Sequence, residues 1–141
     1  MTVRLIPKTV AKVISPNTEL PFLYACQESI PNKCPVAKSE TTGRIVQAQA
    51  NDSDRMPCFG IAIESGDIGD SIKVISIGVA TDVQRDADFD YDAAIYVSET
   101  KGKVTKTPPE TVGSYVQRVA RALTSSDIII MVDQTIVEIT T

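Results

Sequence analysis

Histidine and tryptophan are both absent from this chain of 141 residues. Without imidazole the commonest general base at neutral pH and the commonest zinc ligand are missing together. A serine or cysteine nucleophile would need an unusual base, and no Gly-x-Ser-x-Gly elbow occurs to expose one. Aromatic residues make up 5% of the chain, too few for the stacking platform of a sugar hydrolase. The three cysteines, Cys26, Cys34 and Cys58, include no Cys-x-x-Cys pair and form an odd set, so neither a disulfide framework nor a metal site is expected. They read as reduced, structural thiols. No apolar run is long enough for a signal h-region or a membrane span, which points to a protein that stays in the cytosol or in a particle assembled there, without membrane contact. A net charge of −4 without any Lys/Arg cluster disfavours nucleic-acid binding and leaves proteins as the expected partners.

What the chain does have is a repeat. Ser39-Glu40-Thr41-Thr42-Gly43-Arg44-Ile45-Val46 returns as Ser98-Glu99-Thr100-Lys101-Gly102-Lys103-Val104-Thr105. Ala62-Ile63-Glu64-Ser65-Gly66-Asp67-Ile68 returns as Ala122-Leu123-Thr124-Ser125-Ser126-Asp127-Ile128. Both matches keep nearly the same offset, so duplication is a better explanation than chance. It predicts repeat one over 30–80 and repeat two over 89–139, within one duplicated β domain at 30–141. Two related halves would be joined through Val79 to Asp88.

Within each copy, short alternating apolar runs lie between Gly/Asp turns, as in Ile72-Lys73-Val74-Ile75-Ser76-Ile77. Such spacing marks short antiparallel strands and predicts an all-β fold, a small barrel or sandwich. Tyr115 to Leu123 could form an amphipathic helix on periodicity alone. Its counterpart Phe59 to Ile63 is too short and glycine-bound for that, so a strand is expected. Gly43 and Gly102 stand where a hairpin needs positive φ, and Asp67 and Asp127 are expected to cap turns through their side chains.

Residues 1–29 carry Val3, Leu5, Val10, Val13 and Ile14 between Pro7, Pro16 and Pro21. Proline removes a ladder donor and restricts its predecessor, so this region is an edge strand or an extended arm on a neighbouring subunit. Leu5, Val10, Val13, Phe22 and Tyr24 are its candidate partner contacts. Between the copies, Asp86, Asp88, Asp90 and Asp92 alternate with Ala87, Phe89 and Tyr91. Extended backbone would put the four carboxylates on one face, a candidate calcium site, with Phe89 and Tyr91 on the other. The loop pattern fails in detail, with Tyr91 where glycine is needed and Val97 where a bidentate glutamate is needed. No metal and no cofactor is therefore expected.

The run Tyr96 to Pro109 followed by Tyr115-Val116-Gln117-Arg118-Val119-Ala120-Arg121-Ala122-Leu123 resembles β-rich structural proteins of tailed bacteriophages, among them capsid decoration (cement) proteins. The resemblance spans about Cys58 to Ile139. It implies a non-enzymatic homotrimer that binds the major capsid protein on the outside of a virion assembled in the host bacterial cytoplasm. A tail, fibre or baseplate component is the alternative within the same class. A small ligand- or carbohydrate-binding β module is the alternative outside it.

Overall fold

The computed structural model describes residues 22–141; Leu5, Val10 and Val13 lie outside the described residues. The described chain is all-β and antiparallel, with two five-stranded sheets and a two-stranded ribbon. The first sheet holds β1 (Phe22–Ala25), β2 (Pro35–Lys38), β3 (Ile45–Gln47), β4 (Cys58–Ala62) and β5 (Ser71–Ile75) in the order β1-β5-β4-β2-β3. The second holds β6 (Ile77–Ala80), β7 (Ala94–Val97), β8 (Val104–Thr105), β10 (Arg118–Ala122) and β11 (Ile128–Met131) in the order β6-β11-β10-β7-β8. The two orders are the same topology. Neither sheet closes into a barrel, so of the two expected forms the arrangement is a sandwich.

The duplication extends to register. Val36 opposes Gly60 and Ala37 opposes Cys58 across β2 and β4, with the pairing shifted between them. The same shift separates Ala120↔Ile95 from Arg118↔Tyr96 across β10 and β7, so even the irregularity at Phe59 and Val119 is repeated. Just beyond β1, Cys26 makes a parallel bridge to Ile45 of β3, and Arg85 does the same to Val104 of β8.

Boundaries differ from those predicted. Ile77–Ala80, expected in repeat one, pairs with β11 of the second sheet, whereas Phe22–Ala25 takes the edge-strand form of the two expected for 1–29 and pairs with β5. The joint is therefore Ser76, and the stretch from Val79 to Asp88 does not serve as a linker. Tyr115 to Leu123 is extended as predicted but divided: β9 (Tyr115–Val116) leaves at Gln117 to pair with β12 (Val137–Glu138).

Alternation along the strands makes two cores. Ile30, Val36, Ile45, Ala62, Ile72 and Val74 fill a core private to the first sheet. Ala37, Val46, Cys58 and Ile61 turn the other way and pack with Ile95, Val97, Val119 and Ile130 of the second sheet. The segment Ala48–Ala50 joins the sheets through backbone, since the Ala50 N–H donates to Ser98 O at 2.8 Å and the Gly102 N–H to Ala48 O at 2.8 Å. The two copies thus share a core and direct backbone bonds.

Candidate functional site

The repeated turns have matching chemistry. Gly43 and Gly102 have φ of +72° and +78°, a region that a side chain disfavours. In each copy the serine that opens the motif caps the turn, Ser39 Oγ accepting from the Thr41 N–H at 3.3 Å and Ser98 Oγ from the Thr100 N–H at 2.9 Å. The recurrence of these serines at the head of each motif is the sequence signal for that role. Ser98 and Lys101 do have Ser-x-x-Lys spacing, yet the Ser98 hydroxyl donates to Asp86 and Lys101 is exposed. That hydroxyl is committed to the turn.

Asp67 and Asp127 are not equivalent. Ile63 pairs with Lys73 but Leu123 with Asp127, so the loop is 64–72 in one copy and 124–126 in the other. In the longer loop the Asp70 carboxylate accepts from the Asp67 N–H at 2.9 Å, while the Asp67 carboxylate accepts from the Ser29 hydroxyl. In the shorter loop Thr124 Oγ1 caps, accepting from the N–H groups of Ser126 and Asp127. The Asp127 carboxylate instead accepts from the Asp82 N–H at 3.0 Å, and that bond holds its pKa below the usual carboxylate range.

The four aspartates do not share a face, because 86–92 is bent and irregular where extended backbone was expected. Asp88 pairs with Arg85 at 3.0 Å, Asp90 with Lys106 at 3.4 Å and Asp92 with Arg121 at 2.9 Å, while Asp86 accepts from the Ser98 hydroxyl. Each carboxylate has a separate partner, and no cluster of three metal-ligating side chains occurs among the described residues. Phe89 is buried while Tyr91 is 82% exposed, so the two aromatics expected together are split.

Of the candidate partner contacts that are described, Phe22 is exposed, whereas Tyr24 packs edge-on against Phe59 at 5.0 Å with Lys38 Nζ over both rings. Tyr24 is thus committed to its own sheet. Cys26, Cys34 and Cys58 are free and buried. Burial pushes all three thiols up, that of Cys58 to about 12, so little thiolate exists at neutral pH. A thiol reagent should therefore leave the native protein unlabelled over minutes and modify three groups in denaturant. Rapid labelling of the native chain would contradict that packing.

The best-organised polar group is Glu28 with Arg55, which the sequence did not single out because they are far apart in the chain. The Arg55 guanidinium donates to both Glu28 oxygens at 2.6 and 2.9 Å, and the Gln47 N–H donates to Glu28 Oε2 at 2.9 Å. Burial works against the Glu28 charge, but the Arg55 and Gln47 bonds outweigh it and hold the carboxyl below its ordinary value. A lowered folded-state pKa contributes stability that is complete above the unfolded value and is lost as pH falls through the folded one. Glu28→Gln should cost about 1.5–3 kcal/mol at pH 7, the range for a hydrogen bond to a charged group. That deficit against the parent should shrink in acid, as urea denaturation at a series of pH values would show.

A second surface feature is apolar. On the outer face of the second sheet Ile77 stands opposite Met131 and Val79 opposite Ile129, and Ile77, Val79 and Met131 are each more than half exposed. Three exposed apolar side chains thus lie together on this face, with the half-buried Ile129 beside them. No family model, curated protein or solved structure matches this chain.

Proposed function

We propose that this protein is a non-enzymatic structural component of a phage virion, a decoration protein that binds the major capsid protein on the outer shell as a homotrimer. The observation that carries this reading is the duplicated β body, whose two copies share strand order, register and one core. A cement must span neighbouring capsomers without deforming. Two sheets locked through a common interior meet that demand better than two linked domains, which move relative to one another by default. The resemblance of residues 58–139 to phage structural proteins supplies the particle, and trimerisation would combine weak single contacts into firm attachment.

The test is a micrograph of particles carrying gold-labelled protein. Label distributed over the whole shell supports the proposal. Label confined to one vertex assigns the protein to the tail, and absence from particles removes the virion role.

A further inference from the structure

The two copies differ most in what one face of each sheet carries. In the first copy Ala37 stands opposite Val46 and Cys58, and these side chains with Ile61 are buried against the second sheet. The matching pairings in the second copy set Tyr96 opposite Thr105 and Arg118, and the repeated bulge puts Arg121 on the same side. Exposure alternates accordingly: Ile95, Val97, Val104 and Ala122 are buried, whereas Tyr96, Thr105, Arg118 and Arg121 are half-buried. A face that docks a β body in one copy has become a tyrosine and arginine face in the other. Those two residue types are the ones enriched where proteins meet. Asp92 holds Arg121 at 2.9 Å, and Arg118 belongs to no ion pair among the described residues.

The opposite asymmetry lies in the first copy. Its loop 64–72 is longer than the equivalent 124–126, and the extra length exposes Asp67, Ile68 and Asp70, with Ile68 71% exposed. The loop is firmly held from below. Ile30 and Gly66 exchange backbone bonds at 2.8 and 3.0 Å, the Gly69 N–H donates to Cys26 O at 2.9 Å, and the Cys26 N–H donates to Asp70 O at 2.8 Å. An apolar tip between two carboxylates is the complement of an aromatic ring beside two guanidinium groups.

We infer that the 64–72 loop of one copy of the chain docks on the Tyr96, Arg118 and Arg121 face of a second copy, with Ile68 against Tyr96 and Asp67 toward Arg118. The loop joins β4 to β5 in the first sheet, while the face belongs to β7, β8 and β10 in the second, and no ion pair among the described residues joins the two within one chain. Each chain thus carries one loop and one matching face. Such a contact can be made reciprocally in a two-fold pair or one way around a ring, and the homotrimer proposed above is a case of the second. A net charge of −4 opposes self-association in general, so the selectivity comes from opposite charges brought together locally.

Analytical ultracentrifugation of the full chain over a range of concentrations tests this on isolated protein. The parent is expected to self-associate. Asp67→Arg and Arg118→Asp should each weaken that association by about tenfold or more, since each sets like charges together. The chain carrying both substitutions should recover it, because the pair is then restored with its signs exchanged. Ile68→Ser, at the loop tip, should weaken association without any change of charge, and parental circular dichroism checks that each variant is folded. A parent that stays monomeric, a mass unmoved by the single reversals, or a double variant no better than either single would overturn the inference. Absence of the protein from particles would bear on the virion role alone.

Discussion

Valine in place of Gly102 is expected to destabilise the protein by about 2–5 kcal/mol, combining a left-handed backbone with an overfilled interior. A Cβ at Gly102 would collide with the Gln47 side-chain oxygen and approach Cys34 Sγ to 3.3 Å. Its N–H is also one of the bonds that tie the second sheet to the first, through Ala48 O. Gly43 has the same positive φ and the same place in the repeat, but nothing within 4 Å of an added Cβ. Alanine there should cost only about 1–2 kcal/mol, the conformational part alone. Urea denaturation of both variants checks the comparison. Equal losses would mean that the contact between halves contributes nothing.

Gln117 is expected to be the costliest polar side chain to remove. Its side-chain oxygen accepts from the Cys58 N–H at 2.8 Å, and its amide nitrogen donates to Cys58 O and Asp133 O, each at 2.8 Å. The residue is 1% exposed, so Gln117→Leu would deprive the Cys58 N–H and carbonyl of this partner inside the core, while the carbonyl of exposed Asp133 can turn to water. At about 1–3 kcal/mol for each group stranded in this way, and with partial relaxation, a loss of about 3 kcal/mol or more follows. Gln117→Glu adds a sign that can be measured. A buried carboxylate facing two carbonyls has its folded pKa raised, so the folded state binds the proton more tightly and stability falls as pH rises through the unfolded value. That variant should be more stable at pH 5 than at pH 7. A flat profile would show that water reaches the site.

Much of the architecture was visible in the residues because turn chemistry is local. Gly43 and Gly102, the Ser/Thr-rich approach to each, and the alternating runs after them mark hairpins wherever they fall, and the repeat converted an ambiguous 115–123 into strand. Partner choice is not local. Ile72 to Ile77 reads as one alternating run, and nothing within it says that Ser76 ends one sheet and that Ile77 pairs with Met131, 54 residues further on. Gln117 is one polar residue in an apolar stretch, and its meaning lies in a backbone 59 positions away. The aspartates misled for the opposite reason: their spacing was regular in sequence, but the buried Phe89 bends the chain and sends each carboxylate to a different cation or hydroxyl. The Glu28–Arg55 pair gave no sequence signal because its spacing reflects only how β3 returns past the chain after β1.

The single-residue joint at Ser76 has a consequence for assembly. Two like halves connected by so short a hinge invite exchange between molecules, in which one chain's second half docks on another's first. They also invite pairing of two identical halves. The second error is barred by chemistry that the copies do not share: where the second half offers the Gln117 amide to Cys58, the first has Pro57, and where the second seats Gly102 over Gln47, the first has Gly43 in open solvent. Divergence at these few positions makes each half a key for the other and for nothing like itself.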